Sequence, residues 1–339
     1  MEKVDIAIVG GGIAGLSLGK FLAEKGGPFV IFEEHDEFFK KACGEGITQK
    51  IAGYDFLELY GSKKGVEREI WETIIYTKYG EIPLEMPILM IDKKKVEEEF
   101  AKKAEKQGEI RKGEKVKKIE NGILIPQNIK AKLIVGADGF FSITRKYINV
   151  EPPKEAIAVE GYKENVEKDE SKCHVVLRDD VIKHGYSWYF PKKEKWNIGI
   201  GSFNKKYFKE GFEKFKEENY SIEWRGAYIP MGKPLPSYGK NAILVGDACA
   251  HVFSNVGAGN MPSIICSYIA SDCIEKWVKN DRYELEEYER RWKDVLGKQL
   301  KYSYYAGIIF FNLIRSEYIR HKILKKMCSS VSKFYRKMR

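Results

Sequence analysis

"VDIAIVGGGIAGLSLGKFLAEKG" (residues 4–26) indicates the fold class of this chain. Its uninterrupted apolar run is typical of a buried parallel strand, and Gly10, Gly12 and Gly15 follow in the spacing G-x-G-x-x-G. The next residues predict a helix, whose first N–H groups and positive dipole end attract a pyrophosphate. A second strand ends at Glu33, where an acid accepts a hydrogen bond from an unphosphorylated ribose. The stretch therefore predicts a Rossmann-like domain that binds the ADP half of FAD or NAD.

Two later Gly-Asp motifs favour FAD over NAD. "AKLIVGADGFFSITRKYI" (residues 131–148) is a strand followed by Asp138, and "GDACAHVFSNVGAGN" (residues 246–260) follows another apolar strand. This order of motifs resembles the flavoprotein group that includes para-hydroxybenzoate hydroxylase. In that group the late acid, here Asp247, contacts the ribityl chain of FAD. The resemblance implies that the first loop holds the ADP half and the late loop holds the flavin half of one cofactor.

Two further stretches narrow the resemblance. "KKACGEGIT" (residues 40–48) stands where hydroxylases of the group commonly carry an Arg, and "YSWYFPKKEKWNIGIG" (residues 186–201) reads Y-x-W-x-F-P followed by N-x-G-x-G. Together they resemble the geranylgeranyl reductase family, whose members use FAD to hydrogenate isoprenoid double bonds. The resemblance runs from the first strand to about Ile274. With the fingerprint glycines, it implies FAD contacts at Gly10, Gly12, Ala14, Gly15, Glu33, Cys43, Gly44, Gly46, Lys93, Val116, Asp138, Asp247, Gly259 and Asn260.

The chain departs from the family pattern at four positions. Lys93, at the start of a predicted helix, replaces an Arg, which keeps the charge but loses the planar fork. Ala250 and Ser254 replace Gly and Pro, and Asn260 replaces Ile. We expect the extra side-chain atoms of the late loop to alter the mobility of the flavin or its potential. Val116 is expected in the following strand, on the adenine side.

The implied chemistry adds a hydride to one alkene carbon and a proton to the other. Alternating aromatic residues in a strand are typical of ordinary sheet packing, but the resemblance favours substrate contact here. The implied substrate residues are Tyr186, Trp188, Phe190 and Pro191.

Cys43 and Glu45 are the candidate catalytic residues. A buried Cys commonly behaves as a small apolar residue, but Cys43 is also able to donate a proton or to react with the cofactor ring. Glu45 is a rival acid if apolar surroundings raise its pKa. His251 has no partner at ligand spacing, and six Cys form no C-x-x-C pair, so we expect no metal site.

The positions of the motifs divide the chain. We predict an α/β plus α+β architecture: a Rossmann-like FAD/NAD(P)-binding domain, an inserted antiparallel β-sheet substrate domain, and a helical C-terminus. The predicted boundaries are 1–70, 92–150 and 235–275 for the discontinuous FAD-binding domain, 71–91 and 151–234 for the sheet domain, and 276–339 for the C-terminal region.

The net charge of +10 is concentrated at the C-terminus, because residues 320–339 contain eight Lys or Arg and no acid. Basic residues are not interleaved with aromatics across a folded face, which excludes nucleic acid. The longest apolar run nearby is about half of the ~20 residues that a membrane span needs. Apolar residues at helical spacing instead predict a basic amphipathic helix, lying either on an anionic membrane or on its own protein. These residues are Ile323, Leu324, Met327, Cys328, Val331, Phe334, Tyr335 and Met338.

We therefore expect an FAD-dependent reductase of geranylgeranyl or polyprenyl lipids. The alternatives are a monooxygenase that hydroxylates a quinone or aromatic ring, and a flavoprotein that passes electrons to a quinone or partner. The electron donor is expected to be NAD(P)H or a ferredoxin-like protein. Free Cys and the absence of a leader before the first strand predict a cytoplasmic location. If the basic helix lies on a membrane, it implies a peripheral position at the inner membrane face. Abundant Lys, Glu, Ile and Tyr with only four Gln suit a thermophile.

Overall fold

The computed structural model describes residues 1–279 and 284–337, so Met338 of the predicted basic helix lies outside the described residues. In chain order the strands are β1 (Glu2–Val9), β2 (Val30–Phe32), β3 (Gly46–Thr48), β4 (Lys50–Ile51), β5 (Tyr54–Asp55), β6 (Val66–Thr77), β7 (Gly80–Ile91), β8 (Glu109–Arg111), β9 (Lys118–Glu120), β10 (Ile123–Ile125), β11 (Ile129–Gly136), β12 (Glu155–Lys163), β13 (Lys172–Val176), β14 (Gly185–Pro191), β15 (Trp196–Ser202), β16 (Arg225–Pro230), β17 (Tyr238–Gly239) and β18 (Ala242–Leu244).

The helices follow the same chain order. They are α1 (Ile13–Glu24), α2 (Phe56–Tyr60), α3 (Lys93–Ala104), α4 (Ile143–Tyr147), α5 (Lys205–Glu218), α6 (Asn260–Lys279), α7 (Glu286–Trp292), α8 (Lys298–Ile308) and α9 (Glu317–Arg336), with a 3₁₀ turn at Gly246–Cys249 and π-helical turns at Lys293–Gly297 and Ile309–Leu313. The last of these segments is called the π turn below.

The first eight-stranded sheet has the order β17-β18-β11-β1-β2-β8, with β9 and β10 on the side of β11. Strands β18, β11, β1, β2 and β8 run parallel. Strands β18 and β2 and the C-terminal halves of β1 and β11 are buried, whereas β8 is a partly exposed edge strand. All of them end at one edge of the sheet. Parallel pairing thus brings the three motif loops together, because each loop follows the end of one of these strands.

Backbone packing joins the first loop to its neighbours. Gly10 has φ +102°, and a Cβ there would lie 2.4 Å from the carbonyl oxygen of Ala137. A Cβ at Gly246 would lie 2.8 Å from the Cβ of Ala14, so the late loop packs directly on the start of α1. The Ser267 hydroxyl of α6 donates to the carbonyl of Ala14 at 2.9 Å. Glycines are required here because two backbones approach each other closely.

The second sheet has the order β16-β12-β15-β14-β13-β6-β7-β3. Its neighbouring strands are antiparallel except for the parallel pair β6–β13, which differs from the purely antiparallel sheet that we predicted. A long crossover through the first sheet separates these two strands in sequence, and a crossover of that kind permits parallel pairing. The sheet also begins at Val66 rather than at residue 71, and it gains β3 from the region assigned to the cofactor domain.

Strand β3 ties the two sheets together. Strand β3 pairs with the outer edge of β7 through Gly46, Ile47 and Thr48. Residues 43–45, which directly precede β3, line the same cavity as the loops of the first sheet. Strands β6 and β7 pair antiparallel within this sheet, which agrees with the antiparallel sheet predicted for residues 71–91. A three-residue strand is too short to show a pattern, so its pairing was not predictable from the sequence.

The C-terminal region is helical, and α9 packs on the second sheet. Leu324 and Cys328 join an apolar cluster with Ile75 and Ile82, and the Ser332 hydroxyl accepts from the backbone N–H of Glu85 at 2.9 Å. The basic amphipathic helix is therefore docked on its own protein along one side. Within residues 1–279 and 284–337, no helix has the length and apolar character to traverse a bilayer.

Candidate functional site

A cavity of about 1030 Å³ is lined by both sheets and by the C-terminal helices. It starts at Gly10 and Glu33, passes Cys43 and Trp188, and reaches Met327 of α9. Of the predicted cofactor and substrate residues, all line this cavity except Gly15 and Pro191. A Cβ at Gly15 would lie 2.0 Å from the carbonyl oxygen of Gly10, so this glycine packs the helix on its own loop. Pro191 ends β14.

At one end of the cavity, Glu33 faces the fingerprint loop. One carboxylate oxygen accepts from the Gly11 N–H at 2.7 Å and the other from the His35 N–H at 2.9 Å. A Cβ on Gly12 would meet nothing within 4 Å, so the loop is open toward the cavity at that point. Val116 lines the same end, in the loop between β8 and β9 rather than in the strand that we predicted. These features fit the ribose and pyrophosphate of a dinucleotide.

Asp138 lines the cavity but is engaged with the N-terminus of α4. Its carboxylate accepts from the Ser142 hydroxyl at 2.6 Å and from the N–H groups of Ile143 and Thr144 at 2.8 and 3.0 Å. Arg145 continues the connection by donating to the carbonyl of Ala248 at 3.2 Å. The middle motif thus holds the late loop in place as well as contributing to the cavity wall.

The late loop carries Asp247 into the cavity. The Lys41 ammonium forms an ion pair with the Asp247 carboxylate, a contact that no sequence pattern predicts because 206 residues separate the two. Ala250, one of the departures from the family pattern, has φ +55°, a conformation that glycine adopts more readily. His251 is buried, with its ring 4.7 Å from that of Trp292, and burial lowers its pKa to about 3.

Lys93 begins α3 and is almost fully buried beside the cavity. Its ammonium lies 3.6 Å from a carboxylate oxygen of Glu97, and the side chain also lies over the Phe39 ring. Burial lowers the pKa of Lys93, but the nearby Cys43, Glu97 and Asp247 side chains outweigh that effect and raise it overall. Lys93 therefore supplies a permanent positive charge at the centre of the cavity.

The turn at residues 43–46 lies where the two sheets meet. The Cys43 sulfur accepts from the backbone N–H of Glu45 at 3.3 Å and from the Asn260 side-chain amide at 3.4 Å. Asn260 stands where the family pattern has Ile, so this departure gives the sulfur a second hydrogen-bond donor. A Cβ at Gly44 would lie 3.3 Å from the Phe190 ring, which places the turn directly against the aromatic strand β14.

Glu45 is held by a full set of donors. Its first oxygen accepts from the Lys93 N–H at 3.0 Å and lies 3.2 Å from the Lys192 ammonium. Its second oxygen accepts from the Tyr162 hydroxyl at 2.7 Å and from the Asn197 amide at 3.2 Å. These four contacts fix the position of the Glu45 side chain. These contacts favour a positioning role for Glu45 over proton donation.

Glu160 is a carboxyl group at the cavity wall that was not among the residues predicted from the sequence. It is buried on β12, with one oxygen 2.6 Å from the Arg225 guanidinium and the other 3.3 Å from the Asn197 amide. Burial raises the pKa of Glu160 to about 7; Arg225 opposes this effect and Glu45 adds to it. The sequence signal that could have identified Glu160 is an acidic residue within the largely apolar strand "EAIAVEGYK".

The aromatic strand β14 turns Tyr186, Trp188 and Phe190 toward the cavity. The Tyr186 hydroxyl donates to the Val256 carbonyl of the late loop at 2.6 Å, and the Trp188 indole donates to Asn197 at 2.8 Å. Gly199 explains the neighbouring N-x-G-x-G pattern, because a Cβ there would lie 2.2 Å from the Trp188 ring. The glycine leaves the space that the indole occupies.

The far end of the cavity is apolar and includes residues for which the sequence suggested no site. They come from β6, β7, β13, the π turn and α9 and from the residues directly after β13 and the π turn, and they include Ile75, Leu84, Met86, Ile88, Val175, Leu177, Ile309, Phe310, Phe311, Ile314, Ile323, Leu324 and Met327. A polar, glycine-rich end and a long apolar end therefore share one space. This division suits a cofactor at one end and a lipid chain at the other.

Comparisons with known proteins agree with this geometry. Residues 155–232 match the model of the geranylgeranyl reductase catalytic domain, and residues 3–73 match that of an FAD binding domain. The chain is 25% identical to digeranylgeranylglycerophospholipid reductase 2 of Methanopyrus kandleri, over 93% of this chain and 88% of that protein. It is 30% identical to digeranylgeranylglycerophospholipid reductase of Methanocaldococcus jannaschii, over 51% of this chain and 50% of the relative.

Among solved structures, a geranylgeranyl bacteriochlorophyll reductase-like protein from Thermoplasma acidophilum has the same fold. The TM-score is 0.80 at 20% sequence identity, and the match covers 98% of this chain and 92% of the other. The architecture of a cofactor-binding sheet, a second sheet and a helical C-terminus is thus confirmed.

Proposed function

Because the chain belongs to the geranylgeranyl reductase family of FAD-dependent flavoproteins, we propose that it hydrogenates C=C bonds of a geranylgeranyl or related polyprenyl lipid. The observation that carries the proposal is the continuous cavity, which joins the glycine-rich loops at one end to an apolar wall at the other. A trisubstituted alkene on a long chain needs such a dry, extended space. Membership of this family supports the broader assignment, an oxidoreductase that acts on prenyl lipids.

FAD is the cofactor, and reduced FAD supplies the hydride from N5. The fingerprint loop and Glu33 would bind its ADP half. Asp247, whose carboxylate contacts the Lys41 ammonium, would accept hydrogen bonds from the ribityl hydroxyls. The turn at residues 43–46, together with Gly259 and Asn260, would hold the flavin half, and Lys93 would supply a nearby positive charge.

The proton that completes the reduction comes from a group at the cavity wall. Glu160 is the favoured donor, because an acid works best when its pKa is close to the working pH. Burial holds the pKa of Glu160 at about 7, whereas Glu45 is saturated with donors. Cys43 is the second candidate, since its sulfur faces the cavity between Glu45 and Asn260. The rings of Tyr186, Trp188 and Phe190 would exclude water from the cavity and orient the prenyl chain of the substrate.

The proposed reductase activity is tested under anaerobic conditions. The FAD-loaded protein is reduced chemically, a geranylgeranyl lipid is added in detergent, and the lipid is weighed by mass spectrometry while flavin absorbance is followed. We expect the lipid to gain one H₂ per reduced bond as the flavin is reoxidised. An unchanged lipid, with flavin that is reoxidised only after oxygen is admitted, would contradict the proposal. Hydroxylation of a quinone or aromatic substrate would then be assayed.

A further inference from the structure

We propose that the exposed surface formed by the π turn and α9 docks on an anionic lipid bilayer, and that the prenyl chain enters the cavity between these two segments. The docking surface consists of the apolar residues Ile309, Leu313, Ile319, Met327 and Phe334 and the lysines Lys322, Lys326 and Lys333. The entry of a prenyl chain rests on the proposed function, whereas the docking does not.

The first observation is that the cavity wall continues to the solvent at this surface. Ile309 and Met327 line the cavity, and they are 49% and 46% exposed. Ile314 and Ile323 line it beside them and are half-buried. Leu313 lies between Ile309 and Ile314 in the chain but does not line the cavity, and it is 68% exposed, so the cavity wall and the outer surface meet at the π turn. The residues at this opening belong to the apolar part of the cavity lining.

The second observation is the apolar rim around that opening. Leu313 of the π turn and Phe334 of α9 are 68% and 59% exposed, and Ile319 is half exposed. On α9, the spacing of Ile319, Ile323 and Met327 places them on one side of the helix. Soluble proteins rarely expose apolar residues in such concentration except where they meet a partner or a membrane.

The third observation is the charge. The side of α9 that carries Leu324, Cys328 and Ser332 packs on the second sheet. Lys322, Lys326 and Lys333 are exposed, and their spacing of four and seven residues places them on one further side of the helix. The helix thus has a docked side, an apolar side at the opening and a basic side.

This three-sided arrangement favours a bilayer as the partner. Interfacial helices place apolar side chains in the acyl region and lysines among anionic headgroups. An acidic protein partner would complement the charge of the lysines, but it would not explain why Leu313, Ile319 and Phe334 are exposed near the cavity opening. A bilayer matches both, and it is also the place where a polyprenyl lipid resides.

The docking is tested by vesicle flotation of the FAD-loaded protein, which measures binding and not activity. We expect binding to phosphatidylglycerol vesicles, weakened by salt, and much weaker binding to phosphatidylcholine. The variant Lys322→Gln/Lys326→Gln/Lys333→Gln should lose about 100-fold in affinity, since each lysine near an anionic surface contributes about fivefold. The control Lys206→Gln/Lys209→Gln/Lys216→Gln removes the same charge from α5 and should bind normally.

The apolar part is tested by Leu313→Asp/Ile319→Asp, which should also abolish flotation while circular dichroism and FAD content stay unchanged. Equal binding of the two lysine variants, or binding that survives the aspartates, overturns the proposed surface. Absence of wild-type flotation, with concentration-dependent dimers instead, would assign the surface to a second copy and also overturn it.

A rate comparison tests the entry route. The lysine variant of α9 should reduce detergent-dispersed lipid at the wild-type rate but vesicle-borne lipid at least tenfold more slowly. An equal loss with both forms contradicts the entry route. If the wild type floats but reduces neither form, the proposed reductase activity fails and the docking surface stands, so the two failures are distinguishable.

Discussion

At the scale of single residues, the site depends on how its two buried carboxyl groups, Glu45 and Glu160, are contacted. Glu45 and Glu160 share Asn197 as a neighbour and are both buried, but their partners differ. Glu45 is surrounded by donors from Lys93, Lys192 and Tyr162, whereas Glu160 meets Arg225 on one oxygen only. Two neighbouring acids whose surroundings differ in this way are typical of acid–base sites.

We predict that Glu160→Gln lowers the rate of lipid reduction by about 100-fold, because general-acid catalysis contributes on that order. The wild-type rate should fall as pH rises through 7, where Glu160, with its pKa of about 7, loses its proton. The rate of the Glu160→Gln variant should lack this descending limb of the pH profile. Rates are measured from pH 5 to 9 with reduced flavin, and Cys43→Ser serves as the comparison. If the limb disappears in Cys43→Ser and persists in Glu160→Gln, Cys43 is the donor.

The same residue predicts a dependence of stability on pH. The pKa of Glu160 rises from an ordinary 4.5 to about 7 on folding, so the folded chain holds a proton that the unfolded chain releases. The contribution of this group to the free energy of unfolding therefore declines as pH rises from 4.5 to 7 and is constant above that range. Urea unfolding at several pH values should show a smaller decline for Glu160→Gln than for the wild type. Parallel curves for the two proteins would contradict the prediction.

Asn260 gives a second residue-scale prediction. Asn260→Ile removes one of two hydrogen-bond donors to the Cys43 sulfur, and the loss of a hydrogen bond of about 1 kcal/mol should slow alkylation of Cys43 about fivefold. Iodoacetamide labelling followed by peptide mass spectrometry reports on Cys43 directly, since the other five cysteines are buried. Cys43→Ser identifies background labelling. An unchanged labelling rate would show that the Asn260 amide does not affect the reactivity of the Cys43 sulfur.

At the scale of elements, the aromatic strand β14 needs the glycines of β15 beside it. Gly199 lies directly opposite Trp188 in the antiparallel register, and the Trp188 indole occupies the space that a side chain at position 199 would fill. The indole then reaches Asn197, which also contacts Glu45 and Glu160. Strand pairing thus links the substrate wall to the acid pair.

Gly199→Ala should therefore destabilise the protein by about 2 kcal/mol, because overpacking displaces the Trp188 ring. The new Cβ would lie 2.2 Å from that ring and 2.4 Å from the carbonyl oxygen of Val159. Gly226→Ala is the matched control in the same sheet, since its Cβ would find its nearest neighbour at 3.7 Å. Urea unfolding and tryptophan fluorescence compare the two. Equal stability of both variants would show that the indole moves without cost.

At the scale of the whole molecule, the cofactor cavity is the place where the two sheets meet. Its walls come from the ends of β1, β11 and β18 in one sheet and from β12 and β14 in the other. The short strand β3 and the crossovers connect the sheets covalently near this point. A ligand bound in this cavity therefore stabilises both sheets together.

Removal of FAD should lower the melting temperature by several degrees, since a ligand at 100 times its Kd contributes about 2.7 kcal/mol. Calorimetry of the FAD-free and reconstituted protein measures the change, with NAD added as the control dinucleotide. FAD should restore a single transition and NAD should not, because the late loop and the turn at residues 43–46 are expected to contact the flavin half, which NAD lacks. Equal stabilisation by the two would place the binding energy in the ADP half alone.

The cofactor end of this protein could be predicted from the order of its amino acids. Gly10, Glu33 and Asp247 follow buried strands at fixed spacing, and parallel pairing then leaves one position for their loops. Glycine spacing and apolar periodicity are local signals, so they survive in a sequence without its fold.

The proposed proton donor and the proposed lipid entrance became visible only in the folded chain. Folding brings Glu160 to Cys43, Lys41 to Asp247 and α9 to the far end of the cavity. These contacts join residues that are far apart in the chain, through sheet edges and side-chain reach, and no spacing rule encodes them. Both features depend on burial and proximity, which exist only when distant segments pack together.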